Sequence, residues 1–211
     1  MEIISHRGLW KKDHEKNSVK AFQRSFEKGF GTETDLRDLD GKIIISHDMP
    51  RSEESLLTFE DFLEIYKPYD SLTLALNIKA DGLQEALIKI LKKHPIKNYV
   101  LFDMSVPDLV QTSKTELKFI SRLSEYEEEI PQLSRFSEGV WLDEFSESWI
   151  DSDLILRLSE NYRRVFLVSD ELHGRNHLKK WEFLKQFDLF TLKNIVMCTD
   201  LPEAAQDYFN E

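Results

Sequence analysis

The sequence predicts an α/β chain folded as one (β/α)8 barrel of the TIM type, somewhat reduced, with a β-hairpin extension after its second strand. Three observations carry that expectation. Short apolar runs alternate with amphipathic segments, eight of the runs read as strands once the hairpin arm is set aside, and no stretch rich in Pro, Gly or Ser breaks the series. The 211 residues then form a single domain, 1–211, near the short end for such barrels, so some helices must be short or missing. A doubly wound open sheet is the alternative.

The elements follow in order. Glu2–His6 is the first strand. Ser18–Lys28 is a helix: Ser18 suits the N-cap, Val19, Phe22 and Phe26 recur at helical spacing, and Gly29 suits the stop. Thr32–Arg37 and Lys42–His47 are extended runs joined through Asp40-Gly41, a strong hairpin signal between apolar residues. Thr58–Tyr66 is a helix capped by Thr58, with Glu60 and Asp61 near the positive end of its dipole. Leu72–Lys79 is a strand, Gly82–Lys93 an amphipathic helix, Tyr99–Met104 a strand and Pro107–Thr112 a short helix. Leu117–Leu123 and Val140–Phe145 are strands, and Glu125–Glu138 between them reads as a loop where a helix is expected. Asp151–Asn161 is a helix, Arg164–Ser169 a strand, His177–Phe187 a helix, Ile195–Cys198 the last strand and Pro202–Tyr208 the closing helix.

A formal net charge of −11 sets the partners. Such a surface repels nucleic-acid backbones and anionic membranes, so nucleic acid is not expected as a partner. A small phosphorylated substrate needs a local cation or basic cluster to offset the field. With 41% hydrophobic residues, 14 of them Phe, the chain can build a core and is not disordered. The single cysteine, Cys198, excludes an intramolecular disulfide framework, fits a reducing compartment and, in an apolar strand, reads as a buried inert thiol. No apolar run approaches the roughly 20 residues that span a bilayer. MEIISHRG does not read as a signal peptide, so a soluble cytoplasmic protein is expected, its oligomeric state open.

Polar residues concentrate where early strands run out into loops: His6-Arg7-Gly8, Glu33-Thr34-Asp35 and His47-Asp48. In a β/α barrel those strand ends form the mouth of the active site. Glu33 and Asp35 are two apart in an extended run and point to one side. Two carboxylates a few ångströms apart repel by about 4 kcal/mol at an effective dielectric near 20. A shared proton, a basic side chain or a divalent cation must offset that. The same parity puts Asn77, with a carbonyl oxygen for a hard cation, beside Lys79, with a charge for a phosphate oxygen. Two imidazoles at strand ends supply an acid and a base. Phosphodiester hydrolysis needs this set of parts.

The run HRG at 6–8, N-S at 17–18, A-F at 21–22, G at 29, E-T-D at 33–35, D-G at 40–41 and H-D at 47–48 resembles the opening of the glycerophosphodiester phosphodiesterase family. LNIK at 76–79 and TDLP at 199–202 are fainter echoes of its third-strand motif and closing turn. The resemblance is dense over about the first fifty residues and sparse after them. It implies a barrel that cleaves a small phosphodiester with a divalent cation, Mg²⁺ or Ca²⁺. His6 and His47 then match the acid/base pair, Glu33 and Asp35 two metal ligands, and Arg7 a phosphate contact, with Lys79 on the phosphoryl oxygens as well. Many members attack phosphorus with a neighbouring hydroxyl of the substrate and then hydrolyse the cyclic product, while related lipases and toxins can stop at the cyclic phosphate.

The chain departs from that pattern in three places. Glu15-Lys16-Asn17 stands where the family has Pro-Glu-Asn, which reverses a charge near the mouth. Asn77 stands where the third-strand Glu ligand belongs, which removes one negative charge from the cation site. Ser169–Gly174 lacks the family's Trp and Asn. Asp103, at the end of the fourth strand, is the candidate replacement acid, with Asp143 and Glu144 as further possibilities, and Arg122 could reach a substrate phosphate. A binding module that captures a phosphorylated ligand and a cyclising phospholipase or lyase are the alternative functions. His14, His94, His173 and His177 read as surface or capping residues, although the loop carrying His173 could line the mouth. Trp181, Phe183 and Phe187 read as core, and Glu125–Glu129 as a solvated loop.

Overall fold

The computed structural model describes residues 1–51 and 56–210. In chain order its elements are β1 (Glu2–His6), α1 (Val19–Glu27), β2 (Gly31–Leu39), β3 (Lys42–Ile45), α2 (Phe59–Tyr66), β4 (Leu74–Ile78), α3 (Gln84–Lys93), β5 (Tyr99–Phe102), α4 (Val106–Thr112), β6 (Ser121–Leu123), α5 (Pro131–Ser134), β7 (Gly139–Leu142), α6 (Ser152–Asn161), β8 (Arg164–Val168), α7 (His177–Gln186), β9 (Ile195–Thr199) and α8 (Pro202–Asn210). Apart from the hairpin arm β3, every strand has a parallel partner and is followed by a helix. This is the (β/α)8 barrel that the alternation predicts, with its hairpin after the second strand. The reduced element is α5, a single turn entered through Pro131, which sits inside the stretch expected to be loop.

The chain divides into two compact units, each with its own core. One is His6–Phe119; the other joins Met1–Ser5 to Ile120–Glu211. In the first, β2, β4 and β5 lie side by side in parallel, with Asp35 opposite Asn77 and Leu36 opposite Ile78. The antiparallel arm β3 turns back on β2 through Asp40 and Gly41, at φ 49° and 76°, the paired left-handed residues of a tight hairpin. Helix α1 starts as expected, with the Ala21 amide donating to Ser18 Oγ. Its Phe22 and Phe26 pack on Phe62 and Tyr66 of α2, at ring-centroid distances of 4.7 and 5.6 Å. Thr58 caps α2 by accepting from the Asp61 amide.

In the second unit the strand order is β1, β9, β8, β7, β6, all parallel. Strand β7 begins at Gly139, where a Cβ would stand 2.3 Å from the Arg164 carbonyl oxygen, so no side chain fits. It ends at Leu142, short of the expected Phe145, because Asp143 Oδ1 accepts from the Glu144 amide and turns the chain. The strand expected over Leu117–Leu123 is reduced to β6, its earlier part making only an isolated bridge from Phe119 to Leu101. Trp181 and Leu184 of α7 enter a core with Leu142, Leu158, Leu167 and Met197, and Cys198 is buried. Phe183 packs against that core as expected, whereas Phe187, the residue after α7, is 47% exposed with its ring 5.3 Å from that of Phe183. Among the described residues, no helix is long and apolar enough to cross a membrane.

Candidate active site

The end of β1 is shaped by backbone, and only then by charge. Past His6 the chain turns through Arg7 at φ 58° and Gly8 at φ 82°. A Cβ on Gly8 would lie 2.7 Å from the Ala21 carbonyl carbon, so the HRG glycine is required for both conformation and space. The Arg7 amide donates to the Glu33 carbonyl, and the Gly8 amide to Thr32 Oγ1. Asn17, also left-handed at φ 58°, closes the turn: its amide donates to the Arg7 carbonyl and its Nδ2 to Asp35 Oδ2 at 2.8 Å, while Thr34 Oγ1 donates to its Oδ1. Asn17 was read only as part of a motif. Its bond to Asp35 spans 18 residues and leaves no local pattern.

Within this unit the structure brings His6, Arg7, Glu33, Asp35, Asn77, Lys79 and Asp103 into one chain of contacts. Glu33, Asp35 and Asn77 are buried. Arg7 Nε lies 2.9 Å from Asp35 Oδ2, and Lys79 Nζ lies 3.7 Å from Asp35 Oδ1 and 3.1 Å from Asp103 Oδ2. His6 Nε2 is 3.8 Å from Glu33 Oε2. Burial, and then the Asp35 charge, push the Glu33 carboxyl well above the usual carboxylate range; Arg7, Lys79 and a hydrogen bond from Asn77 oppose the rise.

Among the described residues of β2 and β4, three buried side-chain oxygens make no hydrogen bond: Glu33 Oε2, Asp35 Oδ1 and Asn77 Oδ1. Buried acceptors left in that state are costly, and three from facing positions of two paired strands form an all-oxygen donor set suited to a hard divalent cation. The set has two carboxylates and an amide. Among the described residues, no group of three His, Cys, Asp or Glu side chains is placed to hold a metal ion. Asp103 meets Lys79, the contact that balances an ammonium brought close to Asp35.

The remaining candidates have local contacts of their own. His47 follows β3 with its side chain 46% exposed, its Nδ1 2.8 Å from Asp48 Oδ1. Arg122 is paired with Glu127 and lies over the Phe145 ring. In the second unit, Asp143 Oδ1 receives His173 Nε2 at 2.6 Å, across 30 residues of sequence, and Glu144 is buried against Lys180. His173 is thus half-buried and paired, where surface or capping was expected. The run Glu125–Glu129 is likewise engaged: Glu125 accepts from the Phe145 and Ser146 amides, Glu127 from Arg122 and Glu129 from Tyr162.

Fold and site together define a class, a (β/α)8 barrel with acids and cations gathered at strand ends. Several of the solved structures similar to this chain are glycerophosphodiester phosphodiesterases. A glycerophosphodiester phosphodiesterase from Agrobacterium tumefaciens aligns over 100% of both chains with TM-score 0.75 and 12% identity. One from Parabacteroides distasonis aligns over 99% of this chain and 96% of its own, with TM-score 0.72 and 15% identity. A Ca²⁺-dependent phosphatidylinositol-specific phospholipase C from Streptomyces antibioticus aligns over 97% and 96%, with TM-score 0.55 and 9% identity. No protein-family model and no curated sequence matches the chain. At these identities the likeness shows the fold, which is the barrel and not the open sheet.

Proposed function

We propose that this chain is a divalent-cation-dependent phosphodiester hydrolase of the glycerophosphodiester phosphodiesterase kind, acting on a small phosphodiester with Mg²⁺ or Ca²⁺. The observation that carries the reading is the trio of buried oxygens without a hydrogen bond on Glu33, Asp35 and Asn77, flanked by Arg7 and Lys79. The similar solved structures support it, because the sequence resemblance and the fold likeness meet on one family.

Bound at Glu33, Asp35 and Asn77, the cation would supply positive charge to the phosphoryl oxygens. Arg7 and Lys79 hold those oxygens, a guanidinium and an ammonium suited to a developing dianion. His6 and His47 share the proton transfers, one taking the proton of the attacking hydroxyl or water and the other protonating the departing alkoxide. Asn17 fixes the Asp35 carboxylate, and with it the seat of Arg7.

Phosphorus NMR of the protein with glycerophosphodiesters and either cation tests this. A phosphomonoester product supports hydrolysis, and a cyclic phosphate as the end product moves the chain to the cyclising class. His47→Ala should remove turnover while leaving the unfolding midpoint in place; unchanged activity takes His47 out of the mechanism. Tight binding of phosphate esters with no turnover across the panel favours the binding module, a reading that the amide at Asn77 supports.

A further inference from the structure

One residue of β2 links two of the residues given separate roles above. Glu33, Asp35 and Arg37 alternate along β2 on one face. Arg37 is paired with Ile44 of β3 and lies one residue past Leu36, where the pairing with β4 ends. On one side Leu36 pairs with Ile45 of β3, and the Ser46 amide donates to the Asp35 carbonyl at 3.1 Å. On the other side Leu36 pairs with Ile78 of β4, and the Lys79 amide donates to the Leu36 carbonyl at 3.0 Å. The next carbonyls on both sides receive the Arg37 side chain. Its Nε donates to the His47 carbonyl at 3.0 Å and its Nη1 to the Lys79 carbonyl at 2.9 Å.

We propose that Arg37 is a positioning residue, a brace that fixes the backbone carrying His47 to the backbone carrying Lys79. Only a guanidinium can do this. Its planar fork presents two fixed donors, whereas a lysine ammonium is a single point that reaches one carbonyl at a time. The brace matters most for His47, whose side chain is 46% exposed and whose described side-chain partner is the still more exposed Asp48. Without Arg37 the loop after β3 loses this tie to the backbone after β4, and the Ser46 bond beside it opens more readily. Misplacing a proton-transfer group by about 1 Å costs on the order of 10²-fold in rate. The inference rests on the phosphodiesterase reading for the rate effect, and on geometry alone for the brace.

Arg37→Met and Arg37→Lys separate the possibilities, with two measurements on each. Amide hydrogen exchange at Ser46 and Lys79 reads the brace without reference to activity, and steady-state kinetics on a glycerophosphodiester read its consequence. The brace predicts faster exchange at both amides in both variants, and kcat reduced by about 10- to 10²-fold with KM little changed. Wild-type exchange in Arg37→Met overturns the proposal. So does full retention of rate and protection in Arg37→Lys, which would leave charge, not the fork, as what matters. If the native protein turns over no phosphodiester, the functional reading fails, and the exchange data still decide the brace.

Discussion

Replacing Asn77 by Asp restores a third carboxylate to the Glu33–Asp35 pair and asks directly whether the Asn77 oxygen faces a cation. Asn77 and Asp35 are register partners on adjacent strands, which run about 4.8 Å apart. Two carboxylates about 5 Å apart repel by about 3 kcal/mol at an effective dielectric near 20. The cation-free variant should therefore lose stability. A divalent cation removes the repulsion and gains a charged ligand in place of a dipole. Affinity for Mg²⁺ or Ca²⁺ should then rise by about 10- to 10²-fold, a gain of about 1.4 to 2.7 kcal/mol. Calorimetric titration gives the affinity, and thermal unfolding with and without cation gives the widening gap between the two midpoints. Equal or weaker binding in Asn77→Asp, with the cation-free midpoint lowered, would sink the idea that Asn77 Oδ1 is a ligand and with it the cation site as drawn.

Two further outcomes follow from charges already buried. The Glu33 carboxyl sits above its ordinary value of 4.5, so its contribution to stability is complete below that pH and is lost as pH rises through the raised value. Cation-free protein should weaken over that window in urea unfolding, cation affinity should climb across it with proton release, and Glu33→Gln should flatten both; a pH-independent affinity in the native protein contradicts the burial argument. In the second unit, Lys180→Met leaves Glu144, 2% exposed, as an unpaired buried charge still accepting from the Trp149 and Ile150 amides. Urea titration should show a loss of about 3–5 kcal/mol, largely recovered by adding Glu144→Gln, and a loss below 1 kcal/mol would mean that water or another cation reaches Glu144.

What the sequence made legible was periodicity and order. The same-side placement of Glu33 with Asp35 and of Asn77 with Lys79 follows from an extended backbone, and Asp40-Gly41 names its own turn. The caps at Ser18 and Thr58 are equally local. Illegible were the bonds that join distant positions: Asn17 to Asp35, Arg37 to Lys79 across 42 residues, His173 to Asp143. Each is a choice among several chemically eligible partners, and chain folding alone decides it. For the same reason Glu125–Glu129 read as idle solvent-facing charge: a run of acids carries no mark of which amide or guanidinium it will meet.

The strained residues argue for the site independently of any resemblance. Among the described residues five non-glycine residues have positive φ: Asp40 is in the hairpin turn and Asp188 precedes Leu189, whereas Arg7, Asn17 and Asp103 lie in the contact network around Asp35 and Lys79. Such a conformation costs on the order of 1 kcal/mol or more for Arg7 and less for Asn17 and Asp103, whose short polar side chains tolerate it. The same few residues also hold two buried carboxylates together and leave three oxygens without a hydrogen bond. A sequence selected only for stability would relieve the strain with glycine and replace the acids with apolar side chains of similar volume. Their concentration at one set of strand ends is the expected signature of a preorganised centre, in which donors and acceptors are held ready for a charge that arrives with the ligand.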